Sequence, residues 1–311
     1  MSKRVKKSHR AGFVALIGRP NVGKSTLVNR LLGQKVSIVT PKPQTTRTRI
    51  QGILTLPEAQ IILVDTPGLG GGQGALKAAM QRVAGDAAAD SDIALVLVEV
   101  RGDNPEITDA DKAVLKEARK SRGSIVVAIN KVDLIKRKDI LLPWLAALGQ
   151  ELGEVPLVPI SARTGDGLDV LVAELVKLLP ESPQLFPEDV VTDQAERVLA
   201  AELVREQLLL RTRNEVPHSA AVVIEQFEDE RDAKGQGMCR LEGRIYVERE
   251  SQKAIVVGKG GHQIKEVSTA ARKAIEEMLG CKVFLRLTVH VDPDWTGNPK
   301  GVQRRMSDQG I

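Results

Sequence analysis

Short, uninterrupted apolar runs alternate with longer segments of helical period along the first 180 residues. The runs are Phe13–Ile17, Ile61–Val64, Ile93–Val98, Ile125–Ile129 and Leu157–Ile160. Continuous hydrophobicity of this kind suits strands covered on both faces, as in a parallel sheet. Between the runs, residues 24–32, 75–89, 109–121, 139–152 and 167–179 carry the helical period. Strand, helix, strand repeated in this way predicts an α/β fold, a doubly wound domain over residues 11–180. The stretch LPESPQLFPEDV holds three prolines, and residues 181–190 read as a linker. Beyond it the pattern changes. Residues 193–212 read as an amphipathic helix with Asp193 as its N-cap. In 239–247 and 283–291 apolar and polar residues alternate, which marks strands with one buried face. Between these strands lie the apolar stretch Ala254–Val257, a turn at 258–261 and a helix over 262–279. Residues 191–311 therefore predict a second, α+β domain in the order α-β-β-α-turn-α-β.

Composition adds limits. Hydrophobic residues make up 42% and charged residues 27%, enough for a sizeable core, so a mainly disordered chain is excluded. Cys239 and Cys281 form no CxxC pair and no cluster with the four histidines. A disulfide framework and a cysteine zinc site are not expected, and a reducing, cytoplasmic compartment fits. No run approaches ~18 consecutive apolar residues, and no secretory signal is visible. The net charge of +5 conceals an asymmetry. Residues 1–180 hold 26 Lys and Arg against 18 Asp and Glu, whereas residues 181–311 hold 19 against 22. The first ten residues carry five basic side chains and no acid. They read as a solvated tail, with a weak contact to RNA or anionic lipid as the sharper reading.

Chemistry concentrates at the ends of the apolar runs. Gly18-Arg19-Pro20-Asn21-Val22-Gly23-Lys24-Ser25, followed by Thr26, leaves the first run and opens a helix. This is the GxxxxGK[ST] phosphate loop in its proper setting. Its backbone N–H groups can curl around phosphates, with the helix N-terminus behind them. Lys24 is placed to bridge the β- and γ-phosphates and Ser25 to ligate Mg²⁺. Asn130-Lys131-Val132-Asp133 ends the run SIVVAI. An Asp133 carboxylate can accept from guanine N1–H and its exocyclic amine, whereas adenine offers the opposite pattern. Asn130 is expected to hold the loop and the purine N7 edge, and the Lys131 stem to cover the base. Ser161-Ala162-Arg163 resembles the last guanine-contacting loop. Asp65-Thr66-Pro67-Gly68 is a DxxG box: Asp65 holds Mg²⁺ through water and Gly68 senses the γ-phosphate. In Pro43-Gln44-Thr45-Thr46-Arg47, Thr46 is the expected Mg²⁺ ligand, with Thr45 the alternative. The polar segment 36–49 and the glycine-dense GLGGGQG (68–74) read as loops.

GRPNVGKST, QTTR, DTPG, NKVD and SA, in that order over residues 11–165, resemble the Era/EngA/MnmE group of GTPases. The resemblance implies GTP hydrolysis with Mg²⁺, with Lys24, Thr46, Asp65 and Gly68 as the catalytic set. Leu69 stands where Ras-type enzymes carry a water-orienting glutamine, which implies slow intrinsic hydrolysis. Asn21 is the position linked in some relatives to a K⁺ ion.

Gly258-Lys259-Gly260-Gly261, followed by Lys265, resembles the GxxG signature of a type II KH domain, which clamps about four nucleotides of a single strand. Gly258 and Gly261 are expected to let a sugar-phosphate backbone approach, and Lys259 and Lys265 to meet phosphates. Residues 253–273 hold five Lys and Arg against one acid, a local basic footprint in a mildly acidic half. Phe227, Tyr246 and Phe284 read as structural, Trp295 as packed on the domain, and Arg304 and Arg305 as either RNA contacts or solvated. A GTPase domain followed by a type II KH domain resembles the Era family. That implies a monomeric, cytoplasmic switch that binds single-stranded small-subunit (16S) rRNA near its 3′ end and acts in assembly of the small ribosomal subunit. Two other readings compete. A plain RNA-binding protein with a structural nucleotide would show no coupling between its ligands. A GTPase held peripherally at the inner face of the cell membrane would use the basic tail as its anchor.

Overall fold

Each buried apolar run becomes a strand, and the polar residues at its end become a loop. In the computed structural model, residues 9–42, 45–47, 49–68, 74–100, 107–136, 139, 141–212, 219–232 and 234–308 are described. In order the elements are β1 (Arg10–Gly18), α1 (Lys24–Leu32), β2 (Ile50–Leu56), β3 (Ala59–Asp65), α2 (Ala75–Ala89), β4 (Ile93–Glu99) and α3 (Asp109–Ala118). Then come β5 (Ser124–Asn130), α4 (Leu141–Leu152), β6 (Leu157–Pro159), α5 (Leu168–Leu178) and α6 (Glu196–Arg211). The last are β7 (Ala221–Asp229), β8 (Met238–Val247), α7 (Glu250–Val257), α8 (His262–Leu279), β9 (Lys282–Val291) and α9 (Pro299–Asp308). The chain divides into two compact units. One comprises residues 1–36, 49–71 and 81–193, the other 37–48, 72–80 and 194–311.

In the first unit six strands lie in the order β2-β3-β1-β4-β5-β6. All neighbours are parallel except β2 and β3. Successive residues of β1 serve opposite layers. Val14 and Leu16 join α1 and α5 in one core, while Ala15 and Ile17 join α3 and α4 in the other. Each fully buried Leu or Ile contributes roughly 1.5–3 kcal/mol, so the sheet is held mainly from its two faces. The antiparallel β2 departs from the all-parallel expectation. It is the first arm of a hairpin closed at Pro57-Glu58, and Gly52 together with its half-exposed C-terminal half masks it among the buried runs.

The second unit holds a three-stranded sheet, β7-β8-β9, antiparallel then parallel. Cys239, Leu241, Ile245 and Val247 of β8 point inward against α6 and α8, as the alternation implies. Phe284 of β9, which the alternation sets on the polar side, is 48% exposed on the open face, beneath the Arg240 guanidinium. Cys239 and Cys281, 42 residues apart, are brought together as free thiols with their Sγ atoms 3.5 Å apart.

α6 differs from expectation in two ways. Its N-cap is Ala195, not Asp193. The Val191 carbonyl accepts from Ile53 N–H at 2.8 Å and Thr192 bridges Gly52, so the chain stays extended past 192. The helix is also buried all round from Leu199 to Leu209 rather than on one face. Its polar side is covered by residues 37–42 and 45–47 of the same unit. Ile38 sits in the core, Glu206 accepts from Val39 N–H at 3.0 Å, and Arg205 donates to the Thr45 carbonyl. Trp295 is buried and donates Nε1–H to the Ser219 carbonyl at 2.8 Å. The final helix, absent from the sequence reading, is pinned by Arg304 and Arg305, which both donate to Asp292.

Candidate functional site

All the nucleotide motifs of the first unit lie at the carboxyl ends of its strands. The phosphate loop leaves β1, the DxxG box leaves β3, Glu99 ends β4, Asn130 ends β5 and Ser161 follows β6. The chain winds from β1 to β3 on one side and then crosses to β4 on the other, and such a switch of direction opens a crevice at that edge.

The loop backbone folds inward through left-handed residues at Asn21 (φ 63°) and Gly23 (φ 106°). A Cβ on Gly23 would lie 2.3 Å from Asn130 Nδ2, so the space is taken by a neighbouring motif. Asn130 ties two loops together: its Nδ2 donates to the Val22 carbonyl at 2.8 Å, and its Oδ1 accepts from Ala162 N–H at 2.9 Å. Lys24 is 5% exposed, and its ammonium donates to the carbonyls of Gly18 (3.0 Å) and Arg19 (3.1 Å). Burial lowers its pKa to about 8, although the neighbouring Asp65 carboxylate pulls the other way. Asp65 and Thr66 are fully buried, and the Thr66 hydroxyl donates to the Leu16 carbonyl at 2.6 Å. Pro67 is buried beside them. Gly68 lies against the phosphate loop, where a Cβ would fall 2.8 Å from Pro20 N. Ser25 and Thr26 are half-buried at the head of α1.

The residues expected to read the base share one corner. The Ser161 hydroxyl donates to Asp133 Oδ1 at 2.6 Å, and Arg163 donates to Oδ2 at 2.7 and 3.1 Å. The Ser161 bond first, against burial, and then Arg163 hold the Asp133 carboxyl below its usual range. Lys131 adopts φ 71° and donates Nζ–H to the Asn21 carbonyl at 2.9 Å and to Glu99. Arg19 donates to Asp111 at 2.6 and 3.1 Å, and Asp111 in turn closes the capping box of α3 with Thr108. Glu99 and Asp111 are thus the supports of the phosphate loop that motif reading omits. Their signal was slight: an acid at the end of a buried strand and one in a helix's first turn.

Thr45 and Thr46 belong to the second unit, where Thr46 is buried and the Thr45 hydroxyl donates to the Lys42 carbonyl at 2.7 Å. Pro43, Gln44, Leu69 and residues 1–8 lie outside the described residues.

In the second unit, Gly258-Lys259-Gly260-Gly261 forms a tight turn between α7 and α8. Lys259, Gly260 and Lys265 are exposed. All three glycines have positive φ, but for different reasons. A Cβ on Gly258 would strike Gln263 at 2.6 Å, so this glycine is required by the protein's own packing rather than by an approaching strand. Gly260 and Gly261 face open space. No acid occupies the first turn of α8, and Gly261 caps it without a side chain. Such a turn presents N–H groups and two lysines to an anion.

A family model described as "50S ribosome-binding GTPase" matches residues 13–131, and one described as "KH domain" matches residues 215–296. GTPase Era of Syntrophus aciditrophicus is 45% identical over 292 residues, covering 94% of this chain and 93% of that protein. GTPase Era of Geobacter metallireducens is 44% identical over 92% of this chain and 94% of its own. A crystal structure of Era in complex with MgGDPNP and nucleotides 1506–1542 of 16S ribosomal RNA superposes with a TM-score of 0.89 at 39% identity, covering 96% of this chain and 98% of that one. A variant of Aquifex aeolicus Era bound to GDP·AlF4⁻ gives 0.87 at 39% identity, covering 95% and 98%. With both halves matched in one order along nearly its whole length, this chain belongs to the Era family of GTPases.

Proposed function

We propose that this GTPase is a switch whose nucleotide state sets its affinity for the single-stranded 3′ end of 16S rRNA, and that it acts in assembly of the small ribosomal subunit. The observation that carries the nucleotide half is the pair of hydrogen bonds made by Asn130, which ties the phosphate loop to the loop after β6. On this reading Gly18–Ser25 with Thr26 cradles the phosphates. Asp133 accepts from the guanine edge, Lys131 covers the base, and Ser161 and Ala162 frame it. Lys24 meets the β- and γ-phosphates, and the Gly68 N–H senses the γ-phosphate. The oxygens available suit a hard cation, since Asp65 is a buried carboxylate beside Lys24 and Ser25 offers a hydroxyl at the head of α1. Mg²⁺, when bound, neutralises charge between the β- and γ-phosphoryl groups. The part given to Thr46, and K⁺ near Asn21, rest on the family resemblance.

On the second unit, Lys259, Gly260, Gly261 and Lys265 clamp the RNA backbone, and Gly258 shapes the turn. The complex of the related Era with 16S nucleotides 1506–1542 supports this assignment. No helix among the described residues is long and apolar enough to cross a membrane. Liposome sedimentation with and without residues 1–10 tests the peripheral contact, and light scattering tests the monomer.

The deciding experiment titrates an oligonucleotide from the 3′ end of small-subunit rRNA against the protein loaded with a non-hydrolysable GTP analogue, then with GDP, at one salt concentration. At least fivefold tighter binding with the analogue is expected, the lower end of typical allosteric coupling. Equal binding in both states removes the switch and leaves an RNA-binding GTPase.

A further inference from the structure

Arg163 makes a contact that the nucleotide motifs do not account for. It follows Ser161-Ala162 in the loop after β6, and its Nη2 and Nε both donate to Asp133 Oδ2, at 2.7 and 3.1 Å. Ser161 already donates to Oδ1. The pair is unequal: the Asp133 side chain is 8% exposed and that of Arg163 70%. One partner is fixed in the fold, whereas the other can swing into water without losing its hydration. A guanidinium presents two N–H donors on one planar edge. Guanine presents the same pattern through N1–H and its exocyclic amine. Arg163 takes both lone pairs of Oδ2 and Ser161 one of Oδ1, so a single acceptor site is left for the two donors of guanine while Arg163 stays in place.

We propose that Arg163 is a built-in competitor for guanine: it holds the Asp133 carboxylate until the base displaces it, and so slows nucleotide capture. This rests on reading Asp133 as the guanine acceptor. Arg163 is a positioning residue in this scheme, since it keeps the carboxylate aimed and ionised before the base arrives. Only the fraction of molecules with Asp133 released captures nucleotide, so the observed association rate is reduced by that fraction. An ion pair this exposed on one side is worth a factor of about three.

The test is stopped-flow association of a fluorescent GDP analogue with the full chain and with Arg163→Ala and Arg163→Lys. Arg163→Ala should associate about threefold faster, with Arg163→Lys in between because an ammonium keeps the charge but lacks the forked donor pair. In an Asp133→Asn background, followed with fluorescent xanthosine diphosphate, removing Arg163 should change the rate little. Unchanged or slower association of Arg163→Ala, or a gain that persists without the carboxylate, overturns the proposal. If Asp133→Asn leaves guanine preference intact, the failure lies with the guanine-site reading instead. Equal thermal midpoints of the variants exclude a folding artefact.

Discussion

Lys24 is a cation that the fold has weakened before any phosphate arrives. Burial lowers its pKa from 10.5 to about 8, and Asp65 restores only part of the loss. A phosphate ligand favours the protonated form, so binding takes up a proton once the pH exceeds about 8. GDP affinity should therefore fall about fivefold between pH 8 and pH 9, as the protonated fraction drops from about a half to about a tenth. A titration followed by fluorescence reads this directly, and a flat profile would show that Lys24 stays charged throughout. For folding the sign is opposite. The unfolded chain binds more protons between pH 8 and 10.5, so the penalty this one group places on the folded state shrinks as the pH rises through that window. The sequence named Lys24 by its place in GxxxxGK[ST]. It could not supply the burial, because nothing in the motif tells how tightly Pro20 and Gly68 close around the loop.

Among the elements, α6 carries the largest electrostatic risk. Glu202 is paired with Arg205 at 2.6 Å, both are nearly inaccessible, and Arg47 is buried beside them. Arg47 is pushed down to about 9 by burial first and by the Arg205 charge second. Glu202→Gln removes the carboxylate that is paired with Arg205 and that offsets the Arg205 charge at Arg47, so the repulsion between the two buried guanidinium groups is no longer balanced by it. A loss of about 3 kcal/mol is expected, seen as a lowered thermal midpoint, and Glu202→Leu with Arg205→Leu should recover much of it. The turn between α7 and α8 makes a sharper comparison. Gly258→Ala collides with Gln263 and should destabilise the unit by about 2 kcal/mol. Gly260→Asp has open space and a backbone that Asp tolerates, so it should melt almost as the parent while losing about tenfold in RNA affinity. Melting curves and an RNA titration on both variants separate the two roles, and equal RNA affinity for Gly260→Asp would remove the clamp. The central strands were legible because they are buried on both faces and read as continuous apolar runs. β2 and α9 were not: one is a half-exposed hairpin arm, the other a short, charge-rich helix whose only buried apolar residues among those described are Val302 and Met306 and whose Arg304 and Arg305 are held by Asp292.

For the whole molecule, the predicted coupling has a reciprocal form. If GTP raises RNA affinity by some factor, RNA raises GTP affinity by that same factor, so the oligonucleotide should tighten binding of the GTP analogue and leave GDP behind. Motifs made the two activities legible because phosphate loops and GxxG turns place defined residue types at fixed spacing. Their organisation in the chain was not legible. Residues 36–49 read as a polar loop between two motifs, yet 37–48 are counted with the second unit, where Ile38 sits among the core residues. The reason is physical: a single isoleucine and a few polar residues carry no periodicity, and the polar face of α6 that they cover lies more than 150 residues downstream. This threading limits how the protein can be divided. A gene split after residue 193 would yield an N-terminal product still carrying Ile38, and a C-terminal product missing part of its own interior. Such halves could not be traded freely between relatives by recombination, since each new partner would have to bring a segment 37–48 matched to an α6 encoded in the other half. Sequence drift in these two stretches should therefore be correlated, although they are remote in the gene.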